Sequence, residues 1–272
     1  MKFNFHTHCC YCDGKGKPIA FIEEAVNQKF TAFGFSSHAP LPFDNSFSIK
    51  EDEIPNYVHE IHVFKEQYKE ILPISCGLEC DFIPNLSKPF QYFKQKYSLD
   101  YIIGGVHLVS YNGQLWFIDG KDPQTYDDGL TEIFGGDSKK AVKNYFKQVC
   151  EMIEKEQFNI LAHFDKIKMH NQNRYFTEDE KWYVDCVEET IRLIKEKSLV
   201  VEVNTRGIYK KRCDTFYPSP WIIKKLGEQA IPVTISTDAH HKDEISLCFY
   251  EAMKCINECG INEIRSNYFC NF

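Results

Sequence analysis

The chain has 272 residues, of which 43% are hydrophobic and 15% aromatic, a composition typical of a globular protein with a sizeable core. The formal net charge of -7 argues against broad electrostatic binding to nucleic acid, which requires a basic surface. We find neither a secretory signal nor an uncharged stretch long enough to span a membrane. We therefore expect a soluble, cytoplasmic protein whose 12 cysteines are reduced.

Short apolar segments alternate with helical patterns along the whole chain. In chain order, the predicted strands are 2–5, 32–35, 74–78, 101–105, 159–162, 199–203 and 232–236. Helices are predicted between them at 18–28, 53–69, 139–155, 178–197 and 220–229. This β/α alternation is typical of parallel strands covered by helices.

We expect the strands to form one closed barrel, in a single domain over residues 1–272. Candidate ligand residues end nearly every strand, and closure brings all these ends around one mouth. The glycine-rich region 110–138 interrupts the alternation and indicates a long loop above that mouth. Long loops in this position often shape substrate access.

Metal-ligand residue types recur where the predicted strands end. His6 and His8 alternate along an extended segment and can therefore hold one ion together, and Asp238 and His240 have the same spacing. A single histidine in such a place is most often structural, but a chance coincidence of the whole set is hard to accept. The candidates are His6, His8, Asp13, His38, Glu79, His107, His163, Asp238 and His240.

Nine nitrogen and oxygen ligands are too many for one zinc ion, so the set predicts a metal cluster with a bridging carboxylate. Such a cluster lowers the pKa of bound water and stabilises anionic oxygens, which favours hydrolysis of a phosphate ester. Cys9, Cys10 and Cys12 lie beside the first histidine pair. They are interpreted either as small side chains packing around the site or as a soft ligand or redox-sensitive thiol.

Four motifs of this chain resemble those of the PHP (polymerase and histidinol phosphatase) superfamily of metal-dependent phosphoesterases. In chain order they are His6-Thr7-His8, Ser37-His38-Ala39-Pro40, Gly105-Val106-His107 together with Ala162-His163-Phe164-Asp165, and Thr237-Asp238-Ala239-His240. The segments 34–42, 77–81 and 201–207 are similar, more narrowly, to the histidinol-phosphatase branch. The similarity runs along the whole chain.

The resemblance implies a distorted (β/α)7 barrel with a trinuclear metal site at the carboxyl ends of its strands. It also implies conversion of L-histidinol phosphate to L-histidinol and phosphate, a late step of histidine biosynthesis. One alternative is a PHP phosphoesterase that acts on nucleotides or nucleic-acid ends with the same catalytic groups. A noncatalytic metal-binding protein is a further alternative. Replacement of some of the ligand residues would have indicated it, but all nine are present.

The family pattern, carried onto this sequence, distributes the nine ligands over three ions of zinc, manganese or iron. The resemblance assigns His6, His8, Glu79 and Asp238 to the first ion, Glu79, His107 and His163 to the second, and Asp13, His38 and His240 to the third. Glu79 is therefore the expected bridge, and Glu79, Asp238 and His240 are the expected catalytic residues. Relatives often carry histidine at the position of Asp13.

We expect a metal-bound hydroxide to attack phosphorus in line, without a covalent enzyme intermediate. Arg206 follows the sixth predicted strand, and its planar fork suits phosphate recognition, although a surface salt bridge is the alternative. Asn204 lies two residues before Arg206, so in an extended segment its side chain points to the same side, and it is a second candidate for substrate binding. Trp116, Phe117 and Asp119 are candidates for contacts with an imidazole ring and an ammonium group.

Overall fold

The protein alternates strands and helices along nearly its whole length; the computed structural model describes residues 2–261 and 263–266. Strands β1 to β9 span Lys2–Asn4, Phe30–His38, Ile74–Asp81, Tyr101–Gly105, Leu108–Tyr111, Gln114–Phe117, Ile160–Leu161, Val200–Asn204 and Val233–Ser236. Helices α1 to α9 span Pro18–Asn27, Ile54–Tyr68, Phe90–Tyr97, Pro123–Phe134, Ser138–Lys155, Lys181–Glu196, Arg206–Tyr209, Pro220–Glu228 and Phe249–Glu258. None of these helices is both long and apolar enough to cross a membrane.

Seven parallel strands form the central sheet, in the order β1-β2-β3-β4-β7-β8-β9. Its two edge strands approach each other just beyond their carboxyl ends. There the backbone N–H of His8 donates to the carbonyl of Ala239 at 2.8 Å, and that of Ala239 donates to the carbonyl of His6 at 3.2 Å. The sheet is therefore a nearly closed barrel, which confirms the predicted (β/α)7 architecture. All seven carboxyl ends surround one mouth.

The ring of Tyr101 fills the barrel interior. Its hydroxyl donates to the carbonyl of Phe5 at 2.5 Å and to that of Phe35 at 3.0 Å, so that it links β4 to β2 and to the segment after β1. Glycines on β2 and β3 make room for it. A Cβ atom at Gly34 would lie 2.5 Å from the Tyr101 hydroxyl, and one at Gly77 would lie 2.7 Å from the ring. Side chains therefore fill the interior of the barrel beneath the mouth.

The expectation of a long loop over residues 110–138 is wrong. Strands β5 and β6 form an antiparallel hairpin, and α4 lies between the N-cap Asp122 and the C-cap Gly135. Gly129, which favoured a loop in the sequence, lies inside α4, where a Cβ atom would come within 2.1 Å of Trp116 Cδ1. The glycine therefore permits close packing of the hairpin on the helix.

Candidate metal centre

All nine residues predicted as metal ligands converge at the mouth of the barrel. Strands β1, β2, β3, β4, β7 and β9 each end at or near one of them, and Asp13 comes from the loop after β1. The register pairs His38 at the end of β2 with Glu79 on β3. Because parallel strands bring their carboxyl ends together, the strand order itself assembles this cluster.

Glu79 lies at the centre of the cluster and is 1% exposed. Its Oε2 faces one group of imidazole nitrogens: His38 Nδ1 at 3.0 Å, His6 Nε2 at 3.1 Å and His8 Nε2 at 3.4 Å. Its Oε1 faces another: His163 Nε2 at 3.1 Å and His107 Nε2 at 3.5 Å. The two carboxylate oxygens thus face different histidines, as a carboxylate that bridges two ions requires.

Three groups of potential ligand atoms can each hold an ion, with all atoms of a group within 4.8 Å of one another. They are His6, His8 and Asp238; His38, Glu79 and His107; and His8, Asp13, His38 and His240. The grouping differs in detail from that implied by the family pattern, because His38 Nδ1 is 3.0 Å from Glu79 Oε2 while His38 Nε2 is 3.9 Å from Asp13 Oδ1 in the third group. His163 faces both Glu79 and His107: its Nε2 is 3.1 Å from Glu79 Oε1 and 3.3 Å from His107 Nε2.

Asp13 lies where the family pattern places it, at the outer side of the cluster. Its Oδ1 is 3.1 Å from His240 Nε2 and 3.9 Å from His38 Nε2. The side chain is 34% exposed, whereas those of His6 and His8 are fully buried. The third group is therefore the one closest to solvent.

The donor chemistry of the cluster fits metal ions. His6 Nδ1 lies 2.5 Å from the carboxylate of Glu202, so it carries a proton and Nε2 is the nitrogen left to ligate an ion. Burial alone would lower the pKa of His6, but Glu79, Glu202 and Asp238 raise it well above its usual value, so a metal ion would take the place of a proton on Nε2. Nε2 faces Glu79 Oε2 at 3.1 Å, and neither atom has a hydrogen-bond partner in the described part of the chain. His8 Nε2 is likewise unpartnered, 3.4 Å from Asp238 Oδ1. Buried electron-rich atoms repel one another unless a cation lies among them.

The charge states suit ligation. Burial alone would raise the pKa of Asp238, but Arg206, His6 and Lys166 hold it well below its usual value, so this carboxylate stays ionised. Burial and the neighbouring His240 and His38 lower the pKa of His8, which keeps the imidazole neutral. Asp238 also has a φ of 50°, in the left-handed region that non-glycine residues seldom adopt, as is common at functional sites.

Sequence reasoning did not single out the residues that support the ligands. Glu202 on β8 accepts from the backbone N–H of His163 at 3.0 Å and also faces the imidazole of His6. Asp81 accepts from the backbone N–H of His107 at 2.9 Å. Lys166 donates to Asp119 at 2.7 Å. A charged residue at a buried strand position, as at Glu202, is the signal that could have identified this layer.

The two predicted substrate-binding residues occupy different depths. Arg206 lines the cavity above the cluster, with its side chain 12% exposed, and its NH1 donates to His240 Nδ1 at 2.8 Å. Asn204 is fully buried beneath. Its amide donates to Glu202 at 3.0 Å and its Oδ1 accepts from the backbone of Arg206 at 2.8 Å. In this structure, Asn204 orients other site residues and does not line the cavity.

A cavity of about 420 Å³ opens above the candidate ligands. Phe47 and Phe117 line it with nearly parallel rings, 5.8 Å apart between centroids, and Asp119 lines it too. Burial would raise the pKa of Asp119, but Lys166 and His107 hold it below its usual range. Trp116 is different: it is buried in the core, where its Nε1 donates to the carbonyl of Tyr126, so the expected substrate contact is wrong for this residue.

The three cysteines near the first histidine pair surround the cluster without joining any of the three ligand groups found among the described residues. Cys9 is buried with its sulfur 3.6 Å from the hydroxyl of Ser37, and Cys10 is exposed. The sulfur of Cys12 lies 3.5 Å from Nδ1 of His8. This geometry favours packing and orientation of a ligand over direct metal binding.

Comparisons with known proteins agree with this architecture. A probable histidinol-phosphatase of Deinococcus radiodurans is 24% identical over 94% of this chain and 92% of its own length. The candidate histidinol phosphatase hisK of Listeria monocytogenes has a TM-score of 0.81 at 20% identity, over 92% of this chain and 99% of that one. Histidinol phosphate phosphatase from Lactococcus lactis, solved with zinc, L-histidinol and phosphate, has a TM-score of 0.70 at 19% identity, over 98% of this chain and 97% of that one. The PHP domain family matches residues 3–206, and the chain belongs to this family.

Proposed function

We propose that the chain is a metal-dependent phosphomonoester hydrolase that converts L-histidinol phosphate to L-histidinol and phosphate. One observation carries the proposal. The chain matches, over 98% of its length, the fold of a Lactococcus lactis protein solved with zinc, L-histidinol and phosphate, and its own nine candidate ligands converge at the mouth. The relatives named histidinol-phosphatase also cover nearly the whole chain.

We infer that the nine residues hold three divalent ions, with Glu79 as the bridge between the first two. When bound, such ions would activate water for attack on phosphorus and neutralise the phosphate oxygens. Glu202 would hold the ring of His6 in its ligating orientation, because a ligand ring fixed in advance loses little entropy on binding. Asp81 holds the backbone of His107, and its Oδ2 lies 3.6 Å from Nδ1 of that ring. Arg206 presents positive charge to the cavity, and its donation to Nδ1 of His240 leaves Nε2 as the nitrogen that would give up its proton to ligate an ion.

The cavity suits the rest of the proposed substrate. Phe47 and Phe117 offer an aromatic wall to an imidazole ring, and Glu244 supplies negative charge near which an ammonium group can lie. A volume of about 420 Å³ lies within the range of small-ligand pockets. The nucleotide alternative shares the same ligand cluster and is distinguished by substrate preference.

Hydrolysis of L-histidinol phosphate by the zinc- or manganese-loaded protein in ¹⁸O-labelled water tests the proposal. We expect one labelled oxygen in the phosphate and none in L-histidinol, because water attacks phosphorus and the P–O bond of the ester breaks. Label in L-histidinol would contradict attack at phosphorus. Absence of phosphate release from a protein with full metal content would reject the function.

A further inference from the structure

Two arginines line the cavity, and their guanidinium groups are in different states. Arg206 is engaged with the protein: its NH1 donates to His240 Nδ1 at 2.8 Å and to the carbonyl of Asp238, and lies 3.4 Å from the hydroxyl of Tyr209. These contacts hold the guanidinium against the fourth ligand motif. All three contacts use NH1, whereas Nε and NH2 make no hydrogen bond to the described residues, so Arg206 is anchored through one nitrogen and can still donate to a bound molecule.

Arg212 was not expected at the site, and its guanidinium makes no hydrogen bond to the part of the chain that the structure describes. Its side chain is only 16% exposed and lines the cavity. Its NH1 is 3.5 Å from Oδ1 of Asp119, an ion pair without hydrogen-bond geometry, and that oxygen has no hydrogen-bond partner among the described residues. A guanidinium has five N–H donors, and those of Arg212 make no hydrogen bond to the described residues, so they are available to a molecule in the cavity.

The backbone fixes Arg212 in this place. The N–H groups of Arg212 and Cys213 both donate to the carbonyl of Gly207, at 2.8 and 3.1 Å. Gly207 itself packs against Tyr217, whose ring a Cβ atom would approach to 2.8 Å. Backbone hydrogen bonds to α7 therefore hold the turn that carries Arg212, and the position of the turn does not depend on the Arg212 side chain.

The charges around Arg212 favour an anion. Asp119 is the nearest carboxylate, and Lys166, which is 1% exposed, already binds its Oδ2 at 2.7 Å. Two cations therefore share one carboxylate at this wall of the cavity. By contrast Lys168, a second buried lysine, is saturated by Asp165 at 2.7 Å and by the carbonyl of Phe216 at 3.0 Å. The excess positive charge is therefore that of Arg212 and Lys166 at the cavity wall, whereas the charge of Lys168 is balanced away from the cavity.

We propose that Arg212 is a substrate-binding residue whose guanidinium holds the phosphate group of the substrate. The planar fork of a guanidinium donates two parallel hydrogen bonds to phosphate oxygens, which Asp119 does not accept from it in this structure. The proposal rests on the proposed function for the presence of a phosphate ester. It assigns the phosphate contact to a residue that neither the ligand motifs nor the 201–207 segment contains.

Binding of inorganic phosphate to the metal-loaded protein, measured by calorimetry, tests the proposal. We expect Arg212→Met to weaken phosphate binding about 10- to 100-fold and Arg212→Lys to weaken it less, with metal content unchanged. Lys211→Met, at the exposed neighbouring position, is the matched control and should bind phosphate as the original chain does. Unchanged phosphate affinity in Arg212→Met would overturn the proposal.

Asp119→Asn separates substrate binding from a purely structural ion pair. If Arg212 only fastens Asp119, this variant should lose phosphate affinity as Arg212→Met does, and that result would reject the proposal. If Arg212 holds phosphate, the variant keeps or gains affinity because the competing carboxylate charge is gone. Should Arg212→Met fold poorly, Arg212→Lys and Asp119→Asn still give this answer. Because inorganic phosphate is the probe, the result is independent of whether L-histidinol phosphate is the substrate.

Discussion

The carboxylate of Glu202 lies 2.5 Å from Nδ1 of His6, on the far side of the ring from the candidate ligand atom Nε2. The same carboxylate accepts from the backbone N–H of His163 and from the side-chain amide of Asn204, each at 3.0 Å. Glu202 therefore links two candidate ligands from different strands. Its negative charge also increases the basicity of His6, which strengthens a bond from Nε2 to a cation.

Glu202→Gln should weaken metal binding about 10- to 100-fold, the usual cost of losing a partner of this type. The NH₂ group of the glutamine would face groups that now donate to Glu202, such as His6 Nδ1 and the backbone N–H of His163. The negative charge next to His6 Nδ1 would also be lost. Chelator competition with zinc measures the effect. Glu196→Gln, on the exposed face of α6, is the control. Equal zinc affinity in both variants would show that Glu202 has no part in the metal site.

Glu79→Gln should remove more than one ion, because the two oxygens of Glu79 face different groups of histidines. Elemental analysis of the purified variant measures metal content, and circular dichroism checks its folding. We expect at least half of the metal to be lost and phosphatase activity to be nearly abolished. A variant with full metal content and full activity would rule out a bridge. The exposed Glu66→Gln is the matched control.

The barrel could be predicted from sequence because its strands are buried on both faces and are therefore continuous apolar runs. Even β7, with only Ile160 and Leu161 in strand geometry, was recognisable from the run that contains it. The hairpin β5–β6 and helix α4 were missed, since Gly129 and Gly135 favoured a loop. Only the packing of Trp116 on α4, a tertiary contact, explains a glycine inside that helix.

The candidate ligands were predictable for a different reason: they end the strands, where topology alone brings side chains together. Asn204 also ends a strand, but it is fully buried and donates a hydrogen bond to Glu202. A sequence pattern shows that a residue ends a strand but not whether its side chain reaches the cavity. Arg212 is in an irregular turn, and its orientation depends on Gly207 and Tyr217. No periodic pattern marks such a residue.

Removal of the metal ions should lower the thermal stability of the protein. Without metal ions, the buried carboxylate of Asp238 faces the neutral ring of His8 at 3.4 Å, and the buried carboxylate of Glu79 relies on protonated histidines to balance its charge. Ligand linkage gives about 4 kcal/mol of stabilisation when free metal exceeds its dissociation constant a thousandfold. Calorimetry before and after chelation, and after zinc is restored, measures the change in Tm. A Tm that does not respond to chelation would contradict metal binding at this cluster.

Phe47→Ala and Phe117→Ala should each raise KM for L-histidinol phosphate about 3- to 10-fold through loss of ring contacts. Turnover of ethyl phosphate, which has no ring, should change little. Phe43→Ala, in the same loop as Phe47 but not lining the cavity, is the control. Equal effects on both substrates would mean that the aromatic pair shapes the cavity and does not recognise the ring.

Gly77→Ala should destabilise the fold by about 1–3 kcal/mol, because the added Cβ atom would lie 2.7 Å from the Tyr101 ring. Urea unfolding measures the free energy of unfolding. Gly34→Ala, which meets the same side chain at its hydroxyl, should have a similar effect. Unchanged stability in both variants would show that the barrel interior has spare volume.

The central claim, that the substrate is L-histidinol phosphate, is tested most directly by kcat/KM of the metal-loaded protein. L-Histidinol phosphate should be compared with a panel of nucleotides and a phosphotyrosine peptide under the same conditions. We expect a preference of at least about 100-fold for L-histidinol phosphate, because the contacts with its imidazole ring and ammonium group, which the other substrates lack, each contribute about 1.5 kcal/mol. Equal or better turnover of a nucleotide would leave the metal centre in place and contradict the proposed substrate.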